Sequence, residues 1–391
     1  MSELRAGQVR NLVLATVAFA VTFWAWNLIG PLSGSYSRQL RLSQTQLSLL
    51  VAIPVVVGSL GRIPVGMLAD RFGGRRMFAV VCFVSIVPVL FTGWSTSYGW
   101  LLFWGFLLGV PGTSFAIGIP FVNAWYEPAR RGFATGVFGA GMGGTALSAF
   151  CTPVLVETFG RPFTHVLMAA ALAVTGLVML GASRDSPRWS PATAPAWPRI
   201  RKAMALKATW QSAFLYAVAF GGFVAFSTYL PTLLQNVYRF AQTGAGLRTA
   251  GFSIAAVLAR PLGGTLSDRI GPVKVLLIAF GGTTVMALVL ALEPPAELPA
   301  GASFVLMALF LGLGTGGVFA LVAKLVEASR VGTVTGLVGA AGGLGGYFPP
   351  LVMGAVYAAT GAYTVGFALL ALTALVTLAY TMRAFKGLQG R

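Results

Sequence analysis

Charged side chains, and acidic ones above all, are scarce in this sequence. Of its 391 residues only 9% are Asp, Glu, Lys or Arg, and only nine are acidic. Soluble globular domains carry about 25% charged residues, so this chain has too few to cover a surface that faces water. Together with 57% hydrophobic residues and a mean hydropathy of +0.81, this composition predicts an all-α polytopic membrane protein.

Metal ligands and nucleophiles are equally scarce. The chain has one histidine, His165, and two cysteines, Cys82 and Cys151, which lie in apolar runs. Isolated cysteines in such runs favour buried thiols over a disulfide framework. Because the sequence contains neither a metal-ligand cluster nor a nucleophile–base set, we expect no enzyme activity and no cofactor.

Long apolar segments, by contrast, recur along the whole chain. About 20 apolar residues cross a hydrocarbon core of about 30 Å, and twelve such segments are predicted, near 11–33, 45–69, 77–95, 99–125, 132–155, 164–183, 208–234, 243–267, 273–292, 302–324, 332–357 and 363–383. The longest polar break, 184–207, is basic and rich in proline, which is typical of a linker. It predicts two six-helix halves, 1–183 and 208–391.

The net charge of +18 is unevenly distributed along the chain. If the loops are assigned alternately to the two sides of a membrane, the side with both termini carries 20 Lys and Arg residues and the other side carries five. Cytoplasmic loops are the positive ones, so we expect a multi-pass protein of a bacterial-type cytoplasmic membrane with both termini in the cytoplasm. Membrane topology explains the charge, and nucleic acid is not expected as a partner.

Two internal repeats support the division into halves. The segment Gly61-Arg-Ile-Pro-Val-Gly-Met-Leu-Ala-Asp-Arg-Phe-Gly73 returns 198 residues later as Ala259-Arg-Pro-Leu-Gly-Gly-Thr-Leu-Ser-Asp-Arg-Ile-Gly271, and the motif that begins at Glu127 returns at Glu327. The copies share their order and their membrane orientation. They therefore predict pseudo-symmetric halves related by an axis along the membrane normal, with substrate bound between them near the midplane.

Each half places one arginine deep in the membrane. Arg62 and Arg260 each stand eight residues before the aspartate that ends their helix, Asp70 or Asp268, which is a depth of about 12 Å. A central arginine costs roughly 2.5–3.5 kcal/mol, yet none of the nine acidic residues is predicted in the middle of a span. Since the guanidinium fork matches planar oxyanions, the pair predicts an anion site.

The same lack of acidic residues bears on energy coupling. Proton-driven porters commonly relay protons through an intramembrane Asp, Glu or His, and no such residue is predicted at mid-depth. Anion exchange is therefore the simplest mechanism, while proton symport stays open. An exporter of cationic drugs is disfavoured because it would need intramembrane acids.

Aromatic and glycine residues near this depth are less specific. Phe115 and Tyr216 could stack on a planar anion or donate a hydrogen bond to it, but the chain has 28 phenylalanines, most of which must serve packing. Glycine runs at 139–144 and 339–346 lack the strand and lysine of a phosphate-binding loop. They favour close helix packing, which also leaves room for a small substrate.

The segment Gly66-Met-Leu-Ala-Asp-Arg-Phe-Gly-Gly-Arg-Arg76 resembles the signature between the second and third spans of the major facilitator superfamily. Within it, the chain resembles the nitrate/nitrite porter family. The resemblance rests on Leu60-Gly-Arg-Ile-Pro64, Leu258-Ala-Arg-Pro-Leu-Gly-Gly264, Gly112-Thr-Ser-Phe-Ala116 and the two glycine runs. Met142 departs from it, because the fifth-span signature often has Asn there.

The resemblance implies the major facilitator fold and a monomeric secondary transporter that moves nitrate, nitrite or both by alternating access. By this resemblance, Arg62 and Arg260 of this chain would clamp the anion. Phe115 would stack on it, and Tyr216 would donate a hydrogen bond to it. Gly143 and Gly343 would lie next to the substrate. A porter of another small anion, such as cyanate, phosphate or an organic carboxylate, is the alternative.

A third set of residues is predicted to act as a gate. These charged residues lie at the cytoplasmic ends of the spans and would latch the outward-open state by pairing across the halves. They are Asp70, Arg71, Glu127, Arg131, Asp268, Glu327 and Arg330.

Overall fold

The computed structural model describes residues 2–127, 130–192, 196–327 and 330–388, and within these ranges the chain forms helices and no strands. In the N-terminal half the α-helices are Ser2–Trp26, Ser33–Leu40, Gln44–Leu60, Arg62–Phe72, Gly74–Trp94, Tyr98–Leu107, Ser114–Trp125, Arg131–Gly139, Gly144–Phe159 and Arg161–Ala182. In the C-terminal half they are Lys207–Tyr238, Gln242–Ile270, Pro272–Ala291, Ala302–Leu325, Val331–Gly345, Phe348–Thr360 and Thr364–Ala384.

These helices combine into twelve spans within the described ranges. By length and composition, ten helical stretches are able to cross a membrane, and they are Gly7–Leu40, Gln44–Phe72, Gly74–Trp94, Tyr98–Trp125, Ala134–Phe159, Arg161–Ala182, Lys207–Tyr238, Pro272–Ala291, Ala296–Leu325 and Thr364–Ala384. The eighth span is Gln242–Ile270, which carries several charges, and the eleventh is the divided segment 331–360. The predicted order and number of spans are confirmed, and most span ends lie a few residues beyond the predicted ones.

The membrane-facing surface explains why so few charges suffice. Large apolar side chains such as Trp100, Leu258 and Val174 are 61%, 62% and 59% exposed. A soluble protein would aggregate with so large an exposed apolar surface, whereas in a membrane the lipid tails cover it.

The two cysteines are free thiols. Cys82 is buried, and Cys151 is only partly buried.

Several spans are interrupted at prolines or glycines, as expected from the helix-breaking properties of these residues. Short 3-10 turns interrupt the first, fourth and fifth spans at Gly30–Leu32, Val110–Thr113 and Ala140–Gly143. The second span changes helix at Gly61, so Arg62 begins a new helical segment.

The two halves repeat their local geometry. The second and eighth spans both end at a glycine with positive φ, Gly73 at 89° and Gly271 at 91°, a conformation that side-chain-bearing residues rarely adopt. The loops after the fourth and tenth spans also match, because the amide of Arg130 donates to the carbonyl of Glu127 at 2.8 Å and that of Arg330 to Glu327 at 2.8 Å. The sequence repeats are thus repeats of structure.

The halves meet along paired spans related by the same symmetry. The second span packs against the eleventh, the fifth against the eighth, and the first against the seventh. Glycine allows the close approach: a Cβ at Gly246 would lie 2.2 Å from the Ala149 carbonyl oxygen. We call the face with Gly73, Gly271 and both chain ends the terminal face, and the other the opposite face.

Between the halves, the linker contains a helix that the proline-rich sequence did not predict. This linker helix, Ala196–Met204, lies at the terminal face. Its proline, Pro198, is tolerated because it lies in the first turn, where backbone amides have no helical partner.

Candidate functional site

Arg62 and Arg260 converge from the two halves on one aromatic ring. Their side chains are buried, with 2% and 8% exposure, and they are close enough to repel one another. The centroid of the Phe115 ring lies 4.9 Å from the Arg62 guanidinium carbon and 5.6 Å from that of Arg260. Cation–π attraction to one shared ring offsets part of that repulsion.

Arg62 is held by backbone and is only partly satisfied. Its Nη1 donates to the carbonyl oxygen of Gly339, in the eleventh span, at 2.7 Å. Its Nε and Nη2 have no hydrogen-bond partner among the described residues. Buried donors of this kind are expensive unless a ligand or water accepts from them.

Arg260 has a weaker protein partner. Its Nη1 contacts the thioether sulfur of Met142 at 2.5 Å, and thioether sulfur is a poor acceptor. Its guanidinium carbon also lies 5.6 Å from the ring centroid of Phe319. The residue that departs from the family pattern, Met142, therefore touches one of the two arginines directly.

A wall of aromatic rings closes the site on the C-terminal side. Phe220 lies 5.4 Å from the Arg62 guanidinium carbon and is stacked on Tyr216, with ring centroids 5.0 Å apart and planes at 4°. Tyr216 also packs on Phe319, at 4.7 Å between centroids. Its buried hydroxyl lies within electrostatic reach of both arginines, with the Arg260 guanidinium beside it.

Glycines of the eleventh span lie against this cluster. A Cβ at Gly343 would stand 2.4 Å from the hydroxyl oxygen of Ser59 and 3.3 Å from Nη1 of Arg62. A Cβ at Gly342 would stand 2.0 Å from the Tyr216 ring, whereas one at Gly143 would meet nothing within 4 Å. Gly343 is thus part of the wall around Arg62, and Gly143 borders open space.

Chemically, the site is rich in donors and poor in acceptors. Among the described residues, no partner is found for the buried Nε and Nη2 groups of Arg62 or for the buried Ser59 hydroxyl. The Tyr216 hydroxyl lies beside the Arg260 guanidinium. None of the ion pairs that the described residues form includes Arg62 or Arg260. Such a set suits a small planar ligand that carries negative charge and accepts hydrogen bonds from several directions.

The residues predicted to gate lie at the terminal face, and the contacts of their side chains described below do not join the two halves. Asp70 pairs with Arg199 of the linker helix at 3.7 Å, and Glu127 pairs with Arg188 of the linker at 3.5 Å. The other contacts are between neighbours in sequence. Glu327 pairs with Arg330 at 3.8 Å, and Arg131 donates to the Tyr126 carbonyl at 3.4 Å. The Arg71 guanidinium lies 5.6 Å from the Phe72 ring centroid, and Asp268 is exposed.

At the opposite face, an uncharged network does connect the halves. Asn236 donates to Gln44 at 3.2 Å and to the Tyr363 hydroxyl at 2.9 Å. The Tyr363 hydroxyl is 3.1 Å from that of Tyr229, which in turn accepts from Ser48 at 3.4 Å. Near by, the Ser35 hydroxyl donates to Gln242 at 2.8 Å. The structure is therefore closed at the opposite face by hydrogen bonds.

Sequence reasoning did not select Ser59, Phe319 or this network. Ser59 had a usable signal, because it stands only three residues before Arg62 in the sequence. The network has no such signal, since polar uncharged residues are ordinary at the ends of spans.

The chain is similar to known membrane transporters over almost its whole length. The sequence model of the Major Facilitator Superfamily matches residues 15–320 and 240–387. The probable nitrate/nitrite transporter NarK2 of Mycobacterium tuberculosis is 57% identical over 379 residues, which cover 96% of each chain. The nitrite extrusion protein of Bacillus subtilis is 35% identical over 368 residues, covering 94% of this chain and 92% of that protein.

Solved structures agree on the fold. A bacterial homologue of the human lysosomal transporter Spinster superposes with a TM-score of 0.76 at 18% identity, covering 96% of both chains. At that identity the likeness concerns architecture and carries nothing about substrate.

Proposed function

Because the chain belongs to the nitrate/nitrite porter family of the major facilitator superfamily, we propose that it moves nitrate and nitrite across a membrane by alternating access. Its relatives at 57% and 35% identity are named for these anions. The protein is a multi-pass transporter and not an enzyme.

The proposed binding site is the cluster between Arg62 and Arg260. One observation carries it: guanidinium groups from both halves converge on Phe115, Arg62 retains two unpaired donors, and neither arginine has an acidic partner among the described residues. Nitrate and nitrite are planar, carry one negative charge and only accept hydrogen bonds. Such an anion would accept from Arg62, Arg260 and Tyr216 and would lie flat against an aromatic face.

Alternating access would use the two faces differently. Hydrogen bonds at the opposite face hold the halves together there, while the charged residues at the terminal face pair within their own half or with the linker. In the outward-open state the opposite-face network would open, and Asp70, Glu127 and their counterparts would pair across the terminal face. The arginines would remain the fixed point of this rocking motion.

The terminal face is proposed to be cytoplasmic. The excess of Lys and Arg on that side, 20 against five, supports this orientation, as does the location of the linker. We propose that the protein lies in a bacterial-type cytoplasmic membrane and works as a monomer.

Substitution of the two arginines tests the binding site. We expect Arg62→Lys and Arg260→Lys each to lower nitrate uptake into proteoliposomes by at least about tenfold, because lysine keeps the charge but loses the planar fork. Arg248→Lys is the matched control: this residue is on the same helix as Arg260 and pairs with Glu297 at the opposite face. Undiminished transport by both midplane variants would refute the clamp.

A counterflow measurement separates exchange from proton symport. The single histidine, His165, lies one turn inside the start of the sixth span, at the opposite face, where its ring is bonded to the Arg161 carbonyl. With no intramembrane acid predicted to relay protons, we expect nitrate to enter nitrite-loaded vesicles equally with and without a pH gradient. Uptake that requires the gradient would establish symport instead.

A further inference from the structure

The linker helix, Ala196–Met204, has one protein-facing side and one free side. Ile200 and Ala203 are buried, and the helix packs against the eleventh span. Arg199 reaches the second span, where it pairs with Asp70 at 3.7 Å. The helix therefore touches both halves at the terminal face, whereas Trp197, which is 65% exposed, points away from the protein.

An open groove of about 430 Å³ runs along the free side of this helix. Its lining combines one large aromatic ring with two cations, and the residues are Trp197, Pro198, Arg201, Lys202 and Ala205. Arg201 and Lys202 are exposed and form no side-chain hydrogen bond or ion pair with the described residues. The acids near the linker are already engaged, because Asp70 pairs with Arg199 and Asp185 accepts from the Arg75 amide at 3.1 Å.

The groove lies at the edge of the lipid-facing surface. The indole of Trp210, near the start of the seventh span, donates to the Met204 carbonyl at 2.7 Å and thus ties the linker helix to that span. Trp210 is 58% exposed, and Phe214, one turn further along, is 39% exposed. Exposed tryptophans at the end of a span mark the level of the lipid headgroups.

We propose that this groove binds the headgroup of an anionic phospholipid in the leaflet at the terminal face. Arg201 and Lys202 would hold the phosphate, and the Trp197 ring would lie at the glycerol level with its apolar part toward the chains. Charge complementarity and continuity with the lipid-facing surface of Trp210 and Phe214 both support a lipid as the occupant. Since the linker helix touches both halves, the bound lipid would hold it on the terminal face.

Lipid titration of the full-length protein in detergent, read by native mass spectrometry, tests the proposal. The probes are phosphatidylglycerol, phosphatidylcholine with the same acyl chains, and inorganic phosphate. We expect phosphatidylglycerol to bind at least about tenfold more tightly than phosphatidylcholine, and Arg201→Gln/Lys202→Gln to remove most of that preference. Inorganic phosphate should not displace the lipid at equal concentration.

The matched control removes the same charge elsewhere on the terminal face. Arg76 and Lys274 are exposed at the starts of the third and ninth spans and lie outside the groove, so Arg76→Gln/Lys274→Gln should bind phosphatidylglycerol like the unmodified protein. Equal loss in both double variants, no loss in the groove variant, or displacement by inorganic phosphate would each overturn the proposal. An unchanged melting temperature of the groove variant verifies folding, and because the readout is lipid binding, the result is independent of the transported substrate.

Discussion

At the scale of single residues, Phe115 is the ring that the arginines of both halves approach. Its ring faces both guanidinium groups, and its edge approaches the backbone of the eleventh span, where a Cβ at Gly339 would stand 3.3 Å from Cε1. A ring near both arginines can attract each of them through its π-face. Phe115 thus contributes to the shape of the site as well as to its charge balance.

Phe115→Leu should weaken nitrate binding by about tenfold, since leucine fills similar volume but offers no π-face to either cation. Binding to purified protein can be followed by calorimetry. Phe103→Leu is the control, because Phe103 lies in the same span and is 50% exposed toward lipid. Equal affinities for the two variants would show that the ring has no part in recognition.

Gly343→Ala should destabilise the protein by about 1–3 kcal/mol, the usual range for overpacking, and should impair transport. Its new methyl group would stand 2.4 Å from the Ser59 hydroxyl oxygen and would press on Arg62. In the same helix, Gly336→Ala has nothing within 4 Å and should melt at the same temperature as the unmodified protein or slightly higher. Similar melting temperatures for the two variants would contradict this account of the eleventh span.

At the scale of elements, the site is assembled by interrupted spans. The change of helix at Gly61 begins the segment that carries Arg62, and the turn at Ala140–Gly143 presents Met142 to Arg260. Symmetry then brings the second span to the eleventh and the fifth to the eighth. Each arginine therefore has a glycine-rich span of the other half as its neighbour.

A cross-link between the halves at the opposite face should stop transport. Ser35 lies at the end of the first span and Gln242 at the start of the eighth, and their side chains share a hydrogen bond of 2.8 Å. We expect Ser35→Cys/Gln242→Cys, joined by a short reducible thiol cross-linker, to lose nitrate counterflow and to regain it on reduction, because the outward-open state requires these residues to separate. Either single cysteine variant is the control, and transport that persists through complete cross-linking would show that this face does not open.

Much of the element scale could be predicted from sequence. The repeats at offset 198 located both arginines and the paired aspartates, because a duplicated motif in an apolar chain leaves a plain signal. The linker helix was missed, since Pro198 lies within it and contacts with other parts of the protein, such as the eleventh span and Asp70, stabilise it. Phe319 was missed because one phenylalanine among 28 cannot be selected without knowing which face of its span turns inward.

At the scale of the whole molecule, the uneven charge gives the protein one orientation. The loops of the terminal face carry most of the positive residues, and the linker lies on the same side. The orientation determines whether the binding site opens to the cytoplasm or to the outside in each conformational state. The direction of transport can therefore be stated only once the orientation is known.

Cysteine labelling in intact cells measures that orientation. In a background without Cys82 and Cys151, Thr96→Cys at the opposite face should react with a membrane-impermeant maleimide. Lys386→Cys at the terminal face should react only after permeabilisation, and both positions are exposed. The reverse pattern would invert the proposed topology.

Arg62 and Arg260, which have no acidic partner among the described residues, stay with the protein, so in an anion-only cycle the transported anions alone carry net charge across the membrane. Exchange of one monovalent anion for another moves no net charge over a complete cycle, whatever field acts on the arginines in the single steps. A cycle in which the empty protein returned would carry one negative charge per turnover, and each charge that crosses 100 mV is worth about 2.3 kcal/mol. A cell with a negative interior would oppose nitrate entry by that cycle and leave the exchange unaffected.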